Sequence, residues 1–229
     1  MNESASLTPA ELGRHRLWKP LLKARLLEES SAGFLVQEEE LNEAWQRFCK
    51  GQGLDTANPS VPSDFTGCSL GDLREIVARD LRIAKWKAAR FEAHARERFD
   101  QRKPALDRVV YRLLRVKEAG LARELWFRLR EGEATFAELA PEYASGNEVH
   151  TEAIVGPSPF GAMHPGLAQI LRAAREKELM KPFAVAEWFL IARVEKFLPA
   201  EFDDAAKNLM IEELTQLWLE ERTHGRPTV

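Results

Sequence analysis

The sequence predicts an α+β protein in which a small sheet with surrounding helices is attached to an all-helical domain that the C-terminal helix completes. Three observations carry this expectation. Apolar residues recur at steps of three and four before Lys103 and again after Pro199, two short apolar runs rich in β-branched residues stand at 109–116 and 188–195, and the signals between those runs are again helical.

Taken in order, the first helix is expected around 10–29, kinked or divided at Pro20. A second should run from about 38 to 50, with Leu41, Trp45 and Phe48 as its apolar stripe. The stretch 51–67 is rich in Gly, Pro, Asn, Asp and Ser and reads as loop. From 69 to 98, Leu70, Leu73, Val77, Leu81, Ala84, Ala88 and Phe91 share one helical face, and Ser69 can cap the start.

The character changes after Lys103-Pro104. VVYRLLRV at 109–116 is short and apolar enough for a strand, and WFLIARVE at 188–195 reads likewise. Between them, Ala122, Leu125, Trp126 and Leu129 form a stripe that stops at Gly132, and Thr135-Phe-Ala-Glu138 is a capping box opening a second helix. A third helix follows His164-Pro165 through Leu167, Ile170, Leu171 and Ala174. After Pro199, Met210, Ile211, Leu214, Leu217 and Trp218 lie on one face that must be covered. The expected division is therefore 1–105 helical, 106–199 strand-containing, and 200–229 packing back on the helices.

Composition narrows the function classes. A chain of 229 residues with 45% hydrophobic content can bury a core as one large domain or two small ones. The formal charge of −3 favours neither nucleic acid nor an acidic membrane surface, and the Arg and Lys residues of 79–102 are interleaved with Asp80, Glu92, Glu97 and Asp100, as on a solvated helix. No apolar stretch approaches the ~20 residues of a membrane-spanning helix. Cys49 and Cys68 form no CxxC, and no Cys or His pair has zinc-ligand spacing, so neither a metal nor a cofactor is expected. The opening residues carry Glu3 and Glu11 where an export signal would need a basic start and an apolar run, so the expected location is cytoplasmic.

The stretch from Val109 to Pro199 resembles a parvulin-type peptidyl-prolyl isomerase domain. The most specific match is ARELWFRLREG at 122–132 followed by TFAELAPEY at 135–143, which is similar to the family's "A…L…L…G…F…LA…YS" pattern. Ile154-Val-Gly156 stands where the family has a Gly-Asp-Leu-Gly turn, and Lys181-Pro-Phe183 where a segment leads into the last strand. With helices before and after, the whole chain also resembles the SurA-like chaperones, which hold polypeptide clients with a helical module.

The resemblance implies a site that is only partly kept. The family's apolar pocket for a proline ring falls on Val155, Met163 and Leu167, all still apolar. The first-strand His falls on Arg112, a Cys or Asp position on Gly146, the last-strand His on Phe189, Thr and Ser positions on Ala184 and Ala186, and the paired glycines on Glu152 and Ala153. On this reading Val155, Met163 and Leu167 grip proline, Phe189 lines the floor, and Arg112 offers a donor or cation near the substrate carbonyl. The residue types alone leave core packing open for Val155, Leu167 and Phe189, and a solvated guanidinium open for Arg112. His150 and His164 flank the groove as solvated loop residues or as replacements for a lost polar group.

The function implied is isomerisation of X-Pro bonds in proline-containing or unfolded polypeptide clients, with weak or lost catalysis. A non-catalytic chaperone or proline-segment binder, and a scaffold in a peptide maturation or export system, are the alternatives. No nucleic-acid partner and no membrane insertion are expected.

Overall fold

Local signals set the helices of the computed structural model, which describes residues 8–55, 60–62, 65, 67–144 and 146–224. The opening residues 1–7, several positions of the 51–67 segment expected as loop, and residues 225–229 lie outside the described residues. Helix α1 spans Pro9–Arg14 and starts at a capping box between Thr8 and Glu11. Helix α2 spans Trp18–Ser31. The stretch 10–29 is divided, as expected, but Pro20 is not the break: it lies in the first turn of α2, where a missing N–H leaves no hydrogen bond unmade. The break falls at His15–Leu17, where Arg16 adopts a left-handed φ of 60°.

Helix α3 covers Glu38–Gly51 and α4 covers Leu70–Leu106. Ser69 caps α4, accepting from the Asp72 N–H at 3.2 Å while its own N–H donates to the Asp72 carboxylate at 2.7 Å. The helix runs through Pro104 before ending two residues later. Contacts divide the chain into two units, Met1–Arg98 with Asp203–Val229, and Phe99–Phe202.

In the first unit, α8 (Asp204–Thr223) packs on α2 and on the earlier part of α4. Met210, Ile211, Thr215 and Leu219 are buried, each aliphatic among them worth about 1.5–3 kcal/mol. Trp218 meets Trp86 edge-on at 4.9 Å between ring centres. Leu217, expected on the buried face, is exposed instead, because the face turns through 211, 215 and 219. Ion pairs Lys87–Glu212 at 2.7 Å and Arg98–Glu213 at 2.9 Å flank the packed seam.

The second unit is built on an antiparallel sheet. Strand β1 is Arg108–Val116, β2 Ile154–Pro159, β3 Phe183–Val185 and β4 Trp188–Leu198, in the order β2-β1-β4-β3. The two expected strands are the central pair. The two edge strands carry no readable signal: β2 contains Pro157 and Pro159, which an edge tolerates because it lacks one set of ladder bonds, and β3 has only three residues.

Helices α5 (Ala119–Glu131) and α6 (Phe136–Tyr143) cover one face of the sheet, packing Leu125, Phe136 and Leu139 against Leu114, Val116 and Ile191. Gly132 ends α5 in the left-handed conformation at φ 76°, and Thr135 with Glu138 caps α6. The other face packs α7 (Pro165–Ala173) through Leu167, Ala168 and Leu171 against Tyr111, Leu113, Leu190 and Ala192.

Candidate functional site

Alternation along β1 decides what the site contains. Tyr111, Leu113 and Arg115 point to the α7 face, whereas Arg112, Leu114 and Val116 point to the α5–α6 face. On the α7 face a groove of about 550 Å³ is lined by Tyr111, Leu113 and Arg115 from β1, Val155 and Gly156 from β2, Glu148 and Thr151 from the preceding turn, and Met163, His164 and Leu167 at the start of α7. Val155 on β2, Met163 in the turn that follows and Leu167 on α7 thus share one apolar wall.

Two of the expected site residues lie elsewhere. Phe189 is on the opposite face, packed with the α5–α6 core. Arg112 is on that face as well, donating from Nη1 to the Glu152 carbonyl at 2.7 Å and standing 3.4 Å from the Glu195 carboxylate. A one-residue difference in strand register moves a side chain through the sheet, so the groove-facing neighbours are Tyr111 rather than Arg112, and Trp188 or Leu190 rather than Phe189. Ala184 lies on β3 opposite Phe189, and Ala186 holds a φ of 52° in the β3–β4 turn. His150 is exposed in a short 3-10 turn, Asn147–His150, and does not line the groove.

Among the groove residues without a sequence signal of their own are Tyr111, Arg115 and Glu148. Arg115 grips Glu148 with both ends of its guanidinium, Nε to Oε1 and Nη2 to Oε2, each at 2.8 Å. Glu148 is only 2% exposed, and the bonds it accepts raise the Arg115 pKa further above its ordinary value. The pair occupies the space above Gly146. A β-carbon built there would stand 1.7 Å from Arg115 Nη2 and 2.1 Å from Glu148 Oε2, so no Cys or Asp side chain fits while the pair is in place.

Tyr111 and His164 also present polar atoms to the groove. Burial first, and the Glu148 charge second, push the Tyr111 phenol pKa up, with Arg115 opposing, so the hydroxyl keeps its proton at neutral pH. His164 caps α7 by accepting the Gly166 N–H at Nδ1, 3.2 Å away, which leaves the proton of the neutral ring on Nε2.

The turn before β2 keeps an unusual backbone. Glu152 and Ala153, at the positions where the resemblance implies glycines, both adopt left-handed φ values, 52° and 65°. Ala153 N–H donates to Glu148 O at 2.9 Å and Ala153 O accepts from Leu113 at 2.9 Å, fixing the turn to the groove wall. Gly156 has φ 110°, and a β-carbon there would meet Val109 O at 2.5 Å, so this position requires glycine.

The first unit has its own concavity of about 480 Å³, walled by Ala24 and Leu27 of α2, Ile83, Ala84 and Ala88 of α4, and Ile211 of α8. Its rim is charged, with Lys87 and Glu212 paired across it.

No family model and no curated protein matches the chain. Solved structures similar to it include PrsA peptidylprolyl isomerases and SurA-like chaperones. A peptidylprolyl isomerase (PrsA) of Bacillus cereus has a TM-score of 0.46 and 17% identity, covering 96% of this chain and 84% of that one. The corresponding protein of Bacillus anthracis has a TM-score of 0.43 and 15% identity, over 87% of this chain and 89% of that one. A SurA-like chaperone structure from Campylobacter jejuni has a TM-score of 0.40 and 14% identity, over 97% and 92%.

Proposed function

We propose that the second unit binds proline-containing polypeptide segments in the groove between β1, β2 and α7 and turns X-Pro bonds over slowly. The observation that carries this reading is the convergence of Val155, Met163 and Leu167 on one groove wall beside the Tyr111 hydroxyl and the His164 ring. Isomerisation breaks no bond, but it must overcome amide resonance, a barrier of ~18–20 kcal/mol. A site accelerates it only by binding the twisted imide better than the planar one. Gripping the ring between Val155, Met163 and Leu167 supplies the anchor. The Tyr111 hydroxyl and His164 Nε2–H are the donors available to a twisted carbonyl or nitrogen.

Turnover without binding partners for developing charge is weak, and here the Arg115–Glu148 pair is closed on itself rather than directed at substrate. That closure supports a binder of low activity over a full-strength enzyme. The concavity of the first unit, with its apolar floor and charged rim, suits a chaperone that also holds unfolded segments.

Exchange NMR on a panel of X-Pro peptides tests the reading. Saturable binding is expected, with exchange rates raised far less than tenfold at stoichiometric protein. Met163→Ala should weaken binding several-fold and Leu167→Glu should abolish it, with the far-ultraviolet spectrum unchanged. Tyr111→Phe and His164→Ala should lower the residual rate more than the affinity. Absence of peptide binding by the wild type, or affinity untouched by both Met163→Ala and Leu167→Glu, would rule the proposal out.

A further inference from the structure

One histidine of the groove wall also holds together the backbone that shapes the groove. His164 is the N-cap of α7, and its Nδ1 accepts the Gly166 N–H at 3.2 Å. Only a neutral imidazole can do this, because the protonated ring carries a hydrogen on both nitrogens and has no acceptor left. A charged ring would also face the positive end of the helix, whose first turn has no acidic residue to offset it. Imidazoles change charge between about pH 5 and 8, so acidification across that range removes the cap.

The first turn of α7 depends on this bond more than most helix starts do. It opens with Pro165 and Gly166. Proline supplies no N–H, and glycine loses more backbone freedom than any other residue on entering a helix. Besides the cap, the His164 carbonyl accepts the Ala168 N–H at 3.0 Å, so two bonds to one residue close the turn. Met163 stands directly before the cap and Leu167 within the turn it closes, and both line the groove. Fraying of this turn displaces two of the three residues that grip the ring.

Other charged and titratable side chains share the groove. Among the described residues they are Tyr111 and Arg115 of β1 and Glu148 of the turn before β2, while β2 contributes none and β3 approaches Gly166 with Val185. The phenol keeps its proton and the guanidinium its charge on acidification, since both pKa values are raised. Glu148 is bonded to Arg115 and not to the imidazole.

We propose that His164 is a positioning residue whose neutral form holds the groove wall, so that acidification loosens the start of α7 and weakens the binding of proline-containing segments. This rests on the groove reading given above and adds a condition under which the groove releases its ligand.

The test uses the full chain and an acetylated, amidated Ala-Ala-Pro-Phe peptide, which has no titratable group. Calorimetric affinity of the wild type should fall by roughly two- to fivefold between about pH 7.5 and about pH 5.5, the effect of one lost cap. His164→Asn keeps an acceptor at the cap but does not titrate, so its affinity should vary by less than about twofold over the same range. Any titration of Glu148 is common to both proteins and appears in both profiles. Should His164→Asn bind too weakly to titrate, amide protection factors of Gly166 and Ala168 in the peptide-free proteins decide: they should fall several-fold on acidification in the wild type and hold in the variant. A peptide that binds at no pH would refute the groove reading itself. Binding with parallel pH profiles in the two proteins, or parallel protection profiles, would leave that reading standing and overturn this one.

Discussion

The two faces of the second unit's sheet handle charge in opposite ways. On the groove face a single arginine, Arg115, is matched by a single buried carboxylate, Glu148, in a bidentate pair. On the other face Arg112, Arg193 and Lys177 crowd around Glu195 alone. A balanced pair leaves the groove neutral overall, which suits an apolar ring and a polarisable amide. Arginines opposed in a ladder are unfavourable, and the Glu195 carboxylate between them offsets that cost. The arginines and Glu195 come from the neighbouring strands β1 and β4, whereas Glu148 stands in the turn before β2 and Lys177 between α7 and β3, so the contrast reflects strand register together with the segments that pack on each face.

The largest effect should come from the glycine that lets β2 close on β1. Gly156→Ala would place a β-carbon on Val109 O at a φ that L-residues rarely adopt. A loss of about 3 kcal/mol in urea unfolding is expected, together with loss of peptide binding, because Val155 moves with the strand. A variant of unchanged stability would show that the β1–β2 edge is looser than the structure indicates.

Removing the groove-face pair should cost nearly as much. Arg115→Ala strands the buried Glu148 carboxylate, and since the guanidinium side chain is 35% exposed the expected loss is about 2–3 kcal/mol, at the low end for a broken buried pair. Arg115→Ala combined with Glu148→Leu should recover much of it. If the single and double variants unfolded alike, the pair would not be the coupled unit described.

Next comes the carboxylate on the opposite face. Burial alone would raise the pKa of Glu195, but hydrogen bonds from Lys177 and Arg193 outweigh it and hold the group below its ordinary 4.5. A depressed carboxylate stabilises the fold above its unfolded pKa, and that contribution is lost as pH falls through the folded value. Wild-type stability should therefore drop below about pH 4.5 more steeply than that of Glu195→Gln, which at pH 7 should already be ~2 kcal/mol less stable. Parallel pH profiles for the two proteins would contradict this.

Two smaller effects sharpen the comparison. Phe189→His, which the family resemblance alone would nominate as a repair, should leave X-Pro exchange unchanged within about twofold, because the side chain is on the face away from the groove. Glu152→Gly should stabilise by less than ~1 kcal/mol, since it relieves a left-handed φ of 52° but adds backbone freedom to the unfolded chain. Exchange accelerated tenfold by the first, or a clear loss of stability in the second, would mean that the backbone around β2 and β4 is wrongly described.

Much of the helical organisation was legible because helix signals are local. Ser69 and Thr135 each cap a helix with an acidic residue three positions on, and Gly132 ends one in the left-handed conformation. The apolar stripe of α4 was legible in part. Leu73, Val77 and Phe91 are buried, but Ala84 is exposed and Trp86, off the stripe, is buried against Trp218. A long helix meets different neighbours along its length, so a single stripe does not describe it.

By itself, the sequence determined the α+β class, most of the helix starts and the central strands β1 and β4, which follow from local propensity and short-range periodicity. Val155, Met163 and Leu167 were nominated by the family resemblance, and only the structure brings them onto one groove wall. The tertiary structure alone decided which side of the sheet each strand residue faces. In VVYRLLRV, at the centre of a sheet covered on both faces, alternation is masked by burial on both sides, so Tyr111 and Arg112 are equally plausible groove residues until the neighbours of β1 are known. The same limit hid Glu148, whose partner Arg115 lies on another element, and hid the opposition of Arg112 to Arg193, which exists only because β1 and β4 pair in that register.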